Sequence, residues 1–213
     1  MDEVGASHHP VSDTVENTTL SLGNIDIDVE IHSNKDCNIP GWDPINLWLH
    51  TLEDAIQATF KYEFSLEELS LLPSCELSIV LSHNDTVRQY NCDYRGKDKA
   101  TNILSFPGLD DDDLELLLNS RDNDVSQPMP PFMLGDLILA YETLETEALE
   151  QKKSLTDHFT HLVTHGLLHL LGYDHINDDD AEIMENRERQ ILSSLNIRDP
   201  YLDNNAEMNR GGH

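Results

Sequence analysis

The stretch HGLLHLLGYDH, residues 165–175, holds a helix, its stop signal and three imidazoles in a single run. His165 and His169 are four apart, so on a helix they share one face, close enough for both rings to hold one ion. Upstream, Phe159, Leu162, Val163, Leu167, Leu168, Leu170 and Leu171 recur at helical spacing and predict a helix buried along one side. Ser154 followed by Asp157 reads as the capping box that opens it. Gly172 can take the left-handed conformation that ends a helix and turns the chain back, which lets His175 supply a third ligand. Three nitrogen ligands on zinc leave a fourth position for water, the arrangement of a catalytic rather than a structural site. Three imidazoles suit one Zn2+, and nickel or another divalent transition ion would also fit.

The spacing H-x-x-x-H-x-x-G-x-x-H is that of the metzincin zinc site with one change, because Gly166 stands where a peptidase carries its general-base glutamate. The metal cage is expected and the base is not. His158 and His161 lie further back on the same face and read as supports for the ligands or as surface groups.

Outward from this helix, strands and helices alternate irregularly. Ile25, Ile27, Val29 and Ile31 alternate with Asp26, Asp28 and Glu30, the period of a strand with one buried face. Asp43 and Pro44 open a helix that turns Ile45, Trp48, Leu52, Ile56 and Phe60 inward. Leu77, Ile79 and Leu81 mark a second strand, and a short helix capped by Asn84 or Asp85 ends at Gly96. Asn102 to Phe106 and Leu134 to Ala140 read as two more strands, Glu142 to Gln151 as a helix. The last helix opens on Asp178, Asp179 and Asp180 and buries Ile183, Met184, Ile191, Leu192 and Leu195. The fold class is therefore α+β: a small mixed sheet of about four strands packed with helices, with the metal site at the end of a helix. Residues 1–23, polar and without period, read as a disordered amino-terminal extension, 24–200 as the folded domain, and 201–213 as a polar carboxy-terminal tail. Within the domain, residues 109–132 read as an acidic insertion loop, with Asp110 to Asp113, Asp122 and Asp124 followed by Pro128, Pro130 and Pro131.

The chain has 213 residues, 38% of them hydrophobic, enough for one core. No stretch approaches the ~18 apolar residues of a membrane helix, and MDEVGASHHP lacks the start of a signal peptide, so the expectation is a cytoplasmic protein without a membrane partner. Cys37, Cys75 and Cys92 are odd in number and show no C-x-x-C spacing, which suggests reduced thiols. Forty-one acidic residues against 13 basic ones give a net charge of −28, a field that repels polyanions. Four of the 13, Arg88, Arg95, Lys97 and Lys99, fall within 12 positions. There YRGKDKATNILSFPG, residues 94–108, joins a basic turn to a strand. The turn could be simply solvated, or it could grip phosphate, and Arg95 is then the best single candidate because its planar fork can pair two phosphate oxygens. Asp98 and Asp136 could orient ligands or cap turns and are read as structural, and Cys92 as packing.

Taken together, YRGKDKATNILSFP, LGDLILA and HGLLHLLGYDH resemble the bacterial YbeY endoribonuclease family over roughly residues 25–200 and in matching order. The resemblance implies a metal-dependent endoribonuclease specific for single-stranded RNA, acting in 16S rRNA 3′ end maturation and ribosome quality control in the bacterial cytoplasm. It places the zinc ligands on His165, His169 and His175 and the important arginine on Arg95. It also implies rRNA and the ribosomal small subunit, or proteins associated with it, as partners. The insertion from Leu109 to Phe132 and the amino-terminal extension are longer than that pattern. Two other readings stay open: a metallopeptidase-like hydrolase with Asp174 as a substitute base, and a ribosome-assembly factor whose metal is structural.

Overall fold

The computed structural model describes residues 14–33, 41–118 and 130–202. The strands are β1 (Thr14–Leu22), β2 (Ile25–Ser33), β3 (Cys75–Ser82), β4 (Ile103–Pro107) and β5 (Phe132–Ala140). The helices are α1 (Ile45–Glu63), α2 (Leu66–Leu71), α3 (Asn84–Arg95), α4 (Asp111–Leu118), α5 (Tyr141–Glu150), α6 (Leu155–Leu170) and α7 (Asp178–Ser194). The strands form one open sheet in the order β1-β2-β3-β5-β4. β2, β3 and β5 run parallel, and antiparallel β1 and β4 border them on either side.

Alternation decides which face of each central strand is buried. Ile25, Ile27, Val29 and Ile31 of β2, with Leu77, Ile79 and Leu81 of β3, point into one core. There they meet Trp48, Leu52, Ile56 and Phe60 of α1 and Phe159, Val163 and Leu167 of α6. On the opposite face α3 covers only the β5 and β4 end, packing Val87 against Leu104, Ile138 and Ala140.

Two expectations from sequence need correction. The sheet has five strands rather than four, because Thr14–Leu22, read above as part of a disordered extension, pairs along its whole length with β2. The alternation in β1 is too polar to read alone, and the strand is held by ladder hydrogen bonds and by Thr19 and Ser21 donating to Asp28 and Asp26 at 3.0 and 2.8 Å. Its turn, Gly23-Asn24 with Gly23 at φ +63°, is the two-residue hairpin signal that was available in the sequence. Likewise, part of the acidic insertion is helix α4, because Leu117 sinks into the core at 1% exposure and Asp110 caps the first turn by accepting from the Asp113 N–H at 2.9 Å. Residues 1–13, 119–129 and 203–213, covered by the extension, insertion and tail readings, lie outside the described residues.

The β5–β4 pairing demands a glycine at 135. A register shift opposite Glu76/Leu77 leaves Gly135 at φ +131°, and a Cβ there would stand 2.2 Å from the Phe106 carbonyl oxygen and 2.9 Å from the Gly108 nitrogen. Both obstacles are backbone and neither can swing aside. Gly135→Ala should therefore lower stability by at least about 3 kcal/mol or prevent folding, measured by urea denaturation beside the parent chain.

Candidate metal centre

Three histidines converge where α6 ends. Helix bonding stops as Gly172 takes φ +88°, and the Tyr173 N–H closes the turn on the Leu168 carbonyl at 3.0 Å. His165 and His169 then face each other with ring centroids 4.6 Å apart, and His175 returns to lie 5.8 Å from the first and 5.1 Å from the second. One nitrogen from each ring lies within 4.8 Å of the other two.

The partners of these rings determine their tautomers. The His169 Nδ1 meets the Tyr173 carbonyl at 2.9 Å, and a carbonyl only accepts, so Nδ1 carries the proton. The His165 Nδ1 meets a carboxylate oxygen of Glu188 at 2.8 Å, with the same consequence. In the neutral rings both Nε2 lone pairs are left aimed at one another, 3.1 Å apart. Two nitrogens on one tetrahedral zinc ion, each ~2.1 Å from it, would stand about 3.4 Å apart, so the donor set fits a small divalent cation. Burial, and then the neighbouring His165, hold the His169 ring below its ordinary pKa, which favours the neutral form that ligates.

A cleft of about 570 Å³ opens over the rings, lined also by Arg95, Ser105, Asp174 and Tyr201. Arg95 is the last residue of α3. Its Nη2 donates to the Ser105 carbonyl at 2.9 Å, and its guanidinium carbon lies 5.5 Å from the Phe106 ring centre. The rest of the basic turn divides differently. Arg88 is bound by Asp98 through two hydrogen bonds of 2.5 and 2.9 Å, while Lys97 and Lys99 are exposed. Asp136 points to solvent, and Cys92, expected to pack, is exposed.

Gly166 has a steric cause. A Cβ at this position would meet Ile103 Cδ1 and Leu137 Cδ2 at 2.8 Å and Ser105 Oγ at 3.2 Å. Any side chain here would require the ends of these three residues to give way.

A family model described as Endoribonuclease YbeY matches residues 45–196. The chain belongs to the YbeY endoribonuclease family. The Endoribonuclease YbeY of Paramagnetospirillum magneticum is 52% identical over 126 residues, 59% of this chain and 71% of that one. The Endoribonuclease YbeY of Rhizorhabdus wittichii is 43% identical over 162 residues, 76% of this chain and 92% of the relative. A solution structure of TM1509 from Thermotoga maritima aligns at a TM-score of 0.43 and 19% identity, covering 73% of this chain and 89% of the other. The span matched to the YbeY model includes the histidines and Arg95 but neither β1 nor β2.

Behind the histidine face of this YbeY-family chain sits a residue that sequence reading missed. Glu188 of α7 is 1% exposed, and its carboxylate accepts from His165, from His161 Nε2 at 3.0 Å and from the Tyr201 hydroxyl. Burial alone would raise its pKa, but the hydrogen bonds and charges of His161 and His165 outweigh that and hold it at about 2. Burial and the Glu188 charge push the Tyr201 hydroxyl well above its ordinary value. The signal for Glu188 was present, since it occupies an inward position between Met184 and Ile191 where an unpaired acid has no place. Tyr201 fell within the stretch read as a tail. His161 thus supports the site through Glu188, whereas His158 is buried elsewhere, bonded to Glu147, which also takes the Asn102 amide.

Truncating Glu188 would leave two ring N–H groups without an acceptor. In metal-stripped protein Glu188→Ala should cost about 2–4 kcal/mol by urea denaturation. Retention of full stability would mean that the carboxylate is dispensable to the cluster.

Proposed function

We propose that this chain is a zinc-dependent endoribonuclease specific for single-stranded RNA, acting in 16S rRNA 3′ end maturation and ribosome quality control in the bacterial cytoplasm. The observation that carries the reading is the convergence, in one cleft, of two Nε2 lone pairs 3.1 Å apart with the fixed guanidinium of Arg95. His165, His169 and His175 would hold the ion, which when bound supplies Lewis acidity toward a phosphoryl oxygen and an acidified water.

The remaining work belongs to the protein's own groups. Arg95 spends one donor on Ser105, and the aromatic face of Phe106 steadies the fork, so its other N–H groups can meet non-bridging phosphate oxygens. Charge building on those oxygens during hydrolysis would meet a preorganised cation. Glu188 keeps the His165 ring in one orientation and tautomer, as the Tyr173 carbonyl does for His169. The metallopeptidase reading lacks its base, since Gly166 has no side chain and Ile103, Leu137 and Ser105 crowd the Cβ position. Among the described residues no helix is long and apolar enough to cross a membrane. With a net charge of −28, approach to rRNA is favoured at the Arg95 side, and small-subunit components are proposed partners that would supply further positive charge.

Two variants test this. His169→Ala should lose bound metal by elemental analysis and lose cleavage of single-stranded RNA, and retention of the metal would remove the histidines from the role. Arg95→Lys keeps the charge but loses the fork, so turnover should fall roughly tenfold or more while the thermal melt stays put. Metal bound without any RNA turnover in the parent protein would favour the assembly-factor reading.

A further inference from the structure

Tyr94 is the most exposed aromatic side chain among the described residues, 70% open, in a chain where most rings are buried. Tyr62 and Tyr201, the other exposed rings, use their hydroxyls on Gln190 and Glu188. Tyr94 is instead held by ring contacts. It lies parallel to Tyr90, with centroids 5.9 Å apart and planes 12° apart, and meets Phe106 edge-on at 5.4 Å. Tyr90 and Phe106 pack onto the Val87, Leu104 and Ile138 cluster, so two anchored rings fix the plane of a third that projects beyond them. The next residue is Arg95, whose guanidinium lies over the same Phe106 ring and lines the histidine cleft. After Gly96, which turns the chain at φ +66°, come exposed Lys97 and Lys99.

We propose that Tyr94 is a stacking platform for an unpaired base of the RNA strand whose phosphate meets Arg95. The proposal rests on the endoribonuclease reading and deepens it by naming what selects single strands. A ring fixed in plane loses little freedom when a base lies on it, and every base offers a π-face. In a duplex those faces are already covered by neighbouring bases, so only a strand with splayed bases gains from the contact. The pattern of aromatic ring, arginine and flanking lysines is the one that binds single strands without reading their sequence. Its contacts with Tyr90 and Phe106 leave most of the ring open to a ligand.

Fluorescence anisotropy with the full-length chain in chelator, which prevents turnover, would measure binding of a labelled oligoadenylate, an abasic oligoribonucleotide of equal length and an RNA duplex. Tyr94→Ala should weaken oligoadenylate binding roughly 5- to 150-fold, the ~1–3 kcal/mol of one stacked base, and leave abasic and duplex binding unchanged. Tyr94→Phe should restore it. Unchanged oligoadenylate affinity in Tyr94→Ala with an intact thermal melt would overturn the platform and leave the ring as a protein contact. An equal loss on the abasic strand would overturn it too, as would failure of Tyr94→Phe to rescue. The endoribonuclease reading fails separately, if metal-loaded parent protein leaves single-stranded RNA uncut while Tyr94-dependent binding persists.

Discussion

The closeness of α6 to the sheet at Gly166 sets the histidine cleft. With no Cβ there, Ile103 and Leu137 side chains come to within 2.8 Å of where one would be, and the helix settles against β4 and β5. The residue before the contact is His165 and the one a turn later is His169, so both rings leave the helix on the flank of this contact. The same approach brings Ser105 to the cleft floor, and the Ser105 carbonyl in turn holds Arg95. Helix seat, histidine cluster and the placement of Arg95 thus adjoin one close contact. A side chain at 166 would have to displace the tips of Ile103 and Leu137, so the glycine and this close packing go together.

α7 completes the arrangement with two consecutive residues. Glu188 reaches inward to His165, while Arg187 grips Glu63 of α1 at 2.8 and 3.0 Å and lies 4.5 Å over the Tyr173 ring. Tyr173 also donates to Glu63 at 2.8 Å, so the turn that carries His175 is braced against α1. One helix therefore steadies both halves of the histidine cluster. Two acidic residues with buried carboxylates do this in a protein already carrying a net charge of −28, which is tolerable because each has several donors.

Much of this was legible beforehand because local rules and tertiary demand agreed. The β2 alternation, the α6 capping at Ser154, the stop at Gly172 and the i, i+4 histidines each carry their own signal, and the structure places them as read. β1 carries little signal of its own because its order comes from a partner strand, and only the Gly23-Asn24 turn marks it in the sequence. α4 was obscured by its charge, although its leucines were the informative residues. Glu188 and Tyr201 were beyond a motif search, since they meet the histidines only through the packing of α7 and the chain after it.

β4 and β5 are antiparallel neighbours whose last pair is Pro107 with Gly135, so the acidic insertion is the loop of a hairpin with its ends pinned side by side. Closing such a loop costs only about 0.6 kcal/mol more for each doubling of its length. Among its described residues, Leu117 is in the core, Leu109 and Leu116 pack against it, and Leu114 Cδ2 lies 2.5 Å from where a Gly172 Cβ would be. Because both ends are fixed by the same strand pair, a change in the length of the connection need not alter the sheet register or the seat of α6. The acidic charge of this connection can thus vary apart from the residues that line the cleft.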